Sequence, residues 1–174
     1  MPLTATGIYY DTAGAGDAVV FLHGVTLDRR MWSDQVAALA SRYRCISVDR
    51  RGHGRSQALT PGYDPIGDLE AVLAHAGVTR CSLVGHSLGG WDAIRLAHRL
   101  PDVVGSLVLV AAWFPLPPML WAPPVEVARR RGLIAGRVAW LADPLFGSAT
   151  RDSSVRIRLT EMVRGNDLVS GPAT

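Results

Sequence analysis

Lysine is missing altogether: all eighteen basic side chains are arginine, and against fifteen acidic residues they leave a formal net charge of +3. All-arginine usage with much alanine and glycine points to a GC-rich coding genome and a bacterial source. The densest basic cluster, Arg129-Arg130-Arg131, has no interleaved aromatics. It reads as a solvated helix face, and no nucleic-acid partner is expected. Cysteine is scarce: Cys45 and Cys81 each open an apolar run, the setting of buried free thiols. No Cys/His spacing resembles a metal site, so no metal is expected. No run of about 18 uncharged apolar residues occurs, which argues against a membrane span. Met1-Pro2-Leu3-Thr4 lacks the basic start and apolar stretch of an export signal, so a cytoplasmic location is expected. What remains is ordinary globular composition, 48% hydrophobic and 19% charged over 174 residues, enough for one domain with a real core.

Short apolar runs alternate with helix-period segments. Ala18–Leu22, Cys45–Val48, Ser82–Val84 and Ser106–Val110 are continuously apolar and rich in Val and Ile, as strands buried on both faces of a parallel sheet are. Ile8-Tyr9-Tyr10 is expected as an earlier strand near one edge. Helices are predicted over Met31–Ser41, from the Asp64 cap and Pro65 to Gly77, and over Trp91–Leu100, which Pro101 stops. Strand-helix alternation of this kind gives a mostly parallel α/β sheet with right-handed crossovers and helices on both faces. After Val110 the texture changes. Five prolines (115, 117, 118, 123 and 124) crowd a stretch that also holds Trp113, Phe114, Leu116, Met119, Leu120 and Trp121. Short helices are then predicted near Val125–Arg131, Leu133–Ala142 and Ser153–Arg164, the last capped by Asp152. No further strand and no internal repeat is evident.

Three loops at strand ends carry the chemistry. Gly85-His86-Ser87-Leu88-Gly89 follows an apolar strand and opens a helix, the context in which a G-x-S-x-G turn lifts a serine oxygen above a sheet. Its glycines permit the tight turn, and the Leu88 N–H at the helix start is placed to bind a developing oxyanion. Read blandly, it is a glycine-rich turn with an incidental serine. His23-Gly24-Val25 ends the Ala18–Leu22 run. A second donor is expected from this loop, with the Val25 N–H the candidate and Thr26 the next choice. His23 is read as shaping its loop by hydrogen bonds. Asp49-Arg50-Arg51-Gly52-His53-Gly54-Arg55-Ser56 lacks the lysine and glycine spacing of a phosphate loop and reads as a brace for the strand ends.

Together, Phe21-Leu22-His23-Gly24, Asp49 to Ser56 and Gly85 to Gly90 resemble the N-terminal two-thirds of an α/β-hydrolase-fold protein of the esterase, lactonase and haloperoxidase-like group. The likeness runs from about Ile8 to Ala112. It implies a hydrolase core over residues 1–112, incomplete at its C-terminal side, and the start of an inserted helical cap over 113–174. It also implies a role for each residue: Ser87 as nucleophile, Val25 and Leu88 as oxyanion-hole donors, and Gly85, His86 and Gly89 as the elbow around the serine. The expected substrate is a small hydrophobic ester or lactone, cleaved through an acyl-enzyme with no cofactor. The apolar residues Trp113, Phe114, Met119, Leu120, Trp121, Trp140 and Phe146 would line the cap, or equally pack within it. The same elbow serves C–C bond hydrolysis and cofactor-free peroxidation. The family's strand order puts Ala18–Leu22 between the strands of Cys45 and Cys81, holding the thiols roughly 9–10 Å apart, too far for a disulfide.

The family's acid and histidine normally follow the serine, yet no histidine occurs after His98. His98 itself lies about 11 residues along the serine's own helix, roughly 16 Å away. His75 falls on another helix, and His86 should point away at the elbow. His23 and His53 are nearer but weak alternatives. Asp143, Asp152 and Asp167 fall in the helical segment, and none is carried over as the acid. Without a base, serine is a poor nucleophile, and losing the Ser or His of a triad can cost on the order of 10⁶ in turnover. A truncated chain of weak or no activity is therefore expected, its Ser106–Val110 strand an open edge prone to self-association. The alternative reading is a non-catalytic binder of a small ligand or partner.

Overall fold

The computed structural model describes residues 3–112, 122–147 and 151–166. Trp113, Phe114, Leu116, Met119, Leu120, Trp121 and Asp167, singled out above, lie outside the described residues. The strands are β1 (Tyr10–Ala13), β2 (Ala18–Leu22), β3 (Arg44–Val48), β4 (Cys81–His86) and β5 (Val104–Val110). The helices are α1 (Ser33–Leu39), α2 (Pro65–His75), α3 (Leu88–Arg99), α4 (Ala122–Arg131), α5 (Leu133–Leu141) and α6 (Ser153–Gly165). The sheet runs β1-β3-β2-β4-β5. β1 pairs antiparallel with β3, and every other pairing is parallel. This is the expected mostly parallel α/β sheet.

All five residues of β2 are buried, because it lies mid-sheet with helices against both faces. Its alternation divides the core. Val20 and Leu22 join Ile46, Val48 and the α2 residues Ile66, Leu69, Val72 and Leu73 on one face. Val19 and Phe21 meet Trp32 and Cys45 on the other. Cys45 and Cys81 pair with Val19 and Ala18 respectively, so β2 does separate them, and both thiols are free. Asp64 caps α2 by accepting from the Ile66 N–H at 2.9 Å, with Pro65 at the first position where a missing N–H costs nothing.

Some boundaries differ from expectation. The first strand is Tyr10–Ala13 rather than Ile8–Tyr10, with Tyr9 only bridging to Leu3. The segment before β3 opens as a 3-10 turn over Arg29–Trp32, capped by Asp28, before α1 begins. α3 starts at Leu88, three residues ahead of Trp91. The three later helices form where predicted, and Asp152 caps α6 through the Ser154 and Val155 N–H groups. Pro123 and Pro124 fall in the first turn of α4, the one part of a helix that tolerates them. Arg129, Arg130 and Arg131 are exposed. Trp140, Leu159, Met162 and Val163 pack with Leu27 from the loop after β2, which brings the helical segment onto the C-terminal end of the sheet. Among the described residues β5 is the last strand, and Leu107, Val108, Leu109 and Val110 are 37–50% exposed. No described helix is long and apolar enough to cross a membrane.

Candidate active site

Ser87 stands alone between β4 and α3, at φ +51 and ψ −118. A non-glycine residue there carries strain on the order of 1–3 kcal/mol. The glycines around it are required by close approach. A Cβ on Gly85 would lie 2.5 Å from the Gly89 carbonyl oxygen and 2.6 Å from the Gly90 Cα, because the helix start folds over the strand end. A Cβ on Gly89 would collide with the Leu22 carbonyl at the end of β2. The turn is held from the β5 side too: the Ser87 N–H donates to the Val110 carbonyl at 3.0 Å, and the Ser87 carbonyl accepts from the Gly90 N–H at 2.9 Å. Leu88 contributes the first N–H of α3, one with no intrahelical carbonyl to pair with.

The loop after β2 comes directly alongside. A Cβ on Gly24 would lie 3.3 Å from the Ser87 Cβ and 2.7 Å from His86 Nδ1, so only glycine lets this loop approach the serine. Among the described residues neither the Val25 nor the Leu88 N–H has a hydrogen-bond acceptor. The Thr26 N–H, by contrast, donates to His53 Nε2 at 3.2 Å. The structure thus brings Val25, Gly24, Ser87 and Leu88 to one place, with the Thr26 amide already committed.

The histidines divide by what their partners allow. His23 Nε2 accepts from the Arg50 N–H at 2.9 Å, so its Nδ1 carries the proton and donates to the Gly24 carbonyl at 2.6 Å. His53 has the same tautomer: Nε2 accepts from Thr26, and Nδ1 donates to the Arg51 carbonyl at 3.0 Å. The two rings lie 5.2 Å apart. Full burial, then the neighbouring His53 and Arg50, hold the His23 pKa well below the usual imidazole value, so it stays neutral. Both rings shape loops, as read for His23. His86 is different: burial lowers its pKa, and its Nδ1 is buried without a partner among the described residues. His75 bonds Tyr10 Oη at 2.8 Å, and His98 is exposed in the last turn of α3. Among the described residues no hydrogen bond joins Ser87 Oγ to a histidine, and no three His, Cys, Asp or Glu side chains gather as a metal site would need.

The loop after β3 is the expected brace. Asp49 is fully buried and accepts from the Arg29 and Arg55 N–H groups at 2.9 Å each and from Arg29 Nη1 at 2.7 Å. Burial pushes its carboxyl above the usual range, with those donors pulling the other way. Gly54 sits so tightly over this carboxylate that no side chain fits. Arg50 reaches across to Asp92 on α3 at 2.7 Å, and Arg51 to Asp68 on α2 at 2.7 Å, tying both helices to the strand ends.

Sequence reasoning did not single out Asn166, and it did not foresee that Trp140 and Asn166 bond Thr26 in the loop after β2. Thr26, at φ +60 and buried, accepts from Trp140 Nε1 at 2.7 Å on its hydroxyl and from Asn166 Nδ2 at 2.8 Å on its carbonyl. Asn166 Nδ2 also donates to the Leu27 carbonyl at 2.9 Å, while Oδ1 accepts from the Gly54 N–H at 2.8 Å. The one available signal was a β-branched residue beside the His-Gly turn. Trp140 and Phe146, expected either to line the cap or to pack within it, pack against each other at 5.2 Å in the cluster under α6.

A strand-turn-helix serine at the C-terminal end of a parallel sheet, with a glycine loop pressed against it, defines the class to which the comparisons lead. The sequence pattern of the alpha/beta hydrolase family matches residues 19–172, and the chain belongs to that family. Over 116 residues it is 40% identical to a non-heme haloperoxidase of Rhodococcus erythropolis, covering 64% of this chain and 42% of that protein. Over 105 residues it is 39% identical to a pimeloyl-(acyl-carrier protein) methyl ester esterase of Nitrosomonas europaea, covering 60% of this chain and 41% of that one. It is similar in structure to the enol-lactonase of Burkholderia xenovorans LB400, with a TM-score of 0.80 at 25% identity, covering 93% of this chain and 66% of the lactonase. The chain therefore spans less than half the length of those two curated relatives.

Proposed function

We propose that this chain carries the nucleophile and oxyanion hole of an acyl hydrolase. Ser87 Oγ attacks a carbonyl carbon, and the N–H groups of Leu88 and Val25 receive the oxygen as it becomes negative. The ester C–O bond breaks and the alcohol leaves with the serine proton, and water then cleaves the acyl-serine bond to give the acid and restore the serine hydroxyl. The observation that carries this reading is the strained Ser87 turn with the Gly24 loop in contact beside it. Relatives named as an esterase and an enol-lactonase support a small hydrophobic ester or lactone as the substrate class. In this reading residues 1–112 are the hydrolase core, residues 113–174 belong to a helical cap, and the protein works in the cytoplasm without a cofactor.

With His23 and His53 each holding a proton on Nδ1 and accepting on Nε2, neither takes a proton from Ser87. Turnover by the chain as given is therefore weak. A second reading, a non-catalytic binder of small ligands, draws on that same observation. A fluorophosphonate probe separates them. Slow labelling confined to Ser87, abolished in Ser87→Ala and accompanied by measurable p-nitrophenyl acetate hydrolysis, is expected of the hydrolase. Saturable ester binding with neither labelling nor hydrolysis would overturn it in favour of the binder.

A further inference from the structure

We propose that Thr26 is a strained latch through which the helical segment sets the oxyanion loop, with Trp140 and Asn166 as its positioning residues. The positioning role rests on the reading of Val25 as an oxyanion donor; the latch itself does not.

Thr26 is β-branched and sits at φ +60, a region such residues avoid because Cβ crowds the following carbonyl. Glycine would fit without strain, but glycine has no hydroxyl, and here the hydroxyl is used. Thr26 is 1% exposed, and each of its polar groups has a partner. Its N–H goes to His53 in the sheet-end brace at 3.2 Å. Its hydroxyl accepts from Trp140 Nε1 on α5 at 2.7 Å, and its carbonyl from Asn166 Nδ2 at the end of α6 at 2.8 Å. The three anchors come from 27, 114 and 140 positions downstream.

Asn166 is built for this place. It is the chain's only asparagine and is fully buried. Its backbone leaves the helical region as the C-cap of α6, and the side chain turns inward. Both amide functions are used: Nδ2 spans the Thr26 and Leu27 carbonyls, and Oδ1 takes the Gly54 N–H. Its own carbonyl accepts from Arg137 Nη2 on α5 at 2.9 Å. Leu27, the next residue, is gripped on its apolar side by Trp140, Leu159, Met162 and Val163. Asn166 thus holds the Thr26–Leu27 peptide and Trp140 the Thr26 side chain, while His53 holds the Val25–Thr26 peptide through the Thr26 N–H. The Val25 N–H lies one residue upstream of that fixed peptide.

The test uses three conservative variants: Thr26→Val keeps the branching without the hydroxyl, Trp140→Phe keeps a smaller ring without the N–H, and Thr26→Ser keeps the hydroxyl. Backbone amide exchange at Thr26 and Leu27 reads the latch. Fluorophosphonate labelling of Ser87, separated into probe affinity and maximal rate, reads positioning. Thr26→Val and Trp140→Phe are each expected to speed exchange and to lower the maximal labelling rate about tenfold with affinity little changed, since misplacement of about 1 Å costs up to 10²-fold. The double variant is expected to be no slower than either single, because both remove one bond, and Thr26→Ser should match the wild type. Unchanged exchange in both single variants, or effects that multiply in the double, overturns the latch. Faster exchange with a wild-type labelling rate overturns the positioning role. A wild-type chain that resists the probe sinks the reading of Ser87 and leaves the latch to be decided by exchange.

Discussion

Replacing Gly24 by alanine tests how closely the loop after β2 must approach the serine. Gly24 is outside the left-handed region, so backbone strain plays no part and the effect is steric. The added Cβ would lie 2.7 Å from His86 Nδ1, 3.2 Å from His86 Cε1 and 3.3 Å from the Ser87 Cβ. Comfortable heavy-atom contact is about 3.5–4.0 Å, so the loop or the elbow must retreat by about 1 Å. His86 cannot give way cheaply, because its ring is half-buried with Nδ1 fully enclosed. Forced overpacking of this kind costs about 1–3 kcal/mol. In a domain of this size each kcal/mol lowers Tm by about 2–4 °C. The same 1 Å displaces the proposed Val25 donor from Ser87, for which a loss of up to about 10²-fold in labelling rate is expected. Gly165→Ala is the control: that position has open space around its Cβ and should melt at or above the wild-type temperature. Calorimetry reports stability, and fluorophosphonate labelling reports the site. A Gly24→Ala protein that melts and labels like the wild type would refute both the contact and its consequence.

Ser87→Gly should abolish labelling yet raise stability by about 1 kcal/mol in urea melts, since glycine adopts φ +51 freely; a destabilised variant would show that the turn is not strained. His23 and His86 are held neutral by burial, with folded pKa values below the ordinary 6.5. Their contribution is therefore complete above that value and declines as pH falls, because the unfolded chain takes up protons that the folded one refuses. Urea melts between about pH 7.5 and about pH 5.5 should show stability falling below 6.5, by at most about 1.4 kcal/mol per pH unit for each such histidine. Asp49, raised from 3.8, acts with the opposite sign in a window that opens there. Stability that stays flat or rises on acidification contradicts the buried neutral histidines. We also propose that the exposed apolar β5 mediates self-association of the chain as given. Size-exclusion should show species larger than the monomer that Val108→Lys disperses, and a compact wild-type monomer with a cooperative melt would rule this out.

The parts of the fold legible from residues are those where local pattern and burial coincide. β2 reads as a strand because it is buried on both faces, and α2 reads from Asp64 and Pro65 because capping is a local interaction. The start of α3 was legible from the Gly85–Gly89 motif but not from helical periodicity, which began at Trp91, since Gly89 and Gly90 are poor helix formers placed there by contact with Leu22 and Ala112. β1 was displaced because its partner is a strand some thirty residues on: pairing from Tyr10 opposite Val48 to Ala13 opposite Cys45 carries the strand beyond the apolar Ile8. At the site, the elbow was readable as a motif and the Asp49 loop as a brace. Trp140 and Asn166 were not, because their bonds to Thr26 span 114 and 140 residues and belong to tertiary structure alone.

The distribution of strain links these observations. Among the described residues the non-glycine positions with positive φ are Thr26, Ser87 and Ala111. Each follows a parallel strand at its C-terminal end: β2, β4 and β5 in turn. Unfavourable torsions persist only where surroundings over-determine them. Thr26 has bonds on every polar group, and Ser87 is held by Val110 behind it and by the first turn of α3 ahead. That Val110 carbonyl directly precedes Ala111, so the strained serine and the strained exit of β5 share one hydrogen bond. The end of the sheet where open α/β folds bind ligands is thus also where this chain concentrates its conformational cost. Relief at any one of the three positions should then be felt at Ser87. Ala111→Gly, distant in sequence from every proposed donor, is expected to stabilise the chain while slowing the labelling of Ser87, and a gain in stability without that loss would show the three strained turns to be independent.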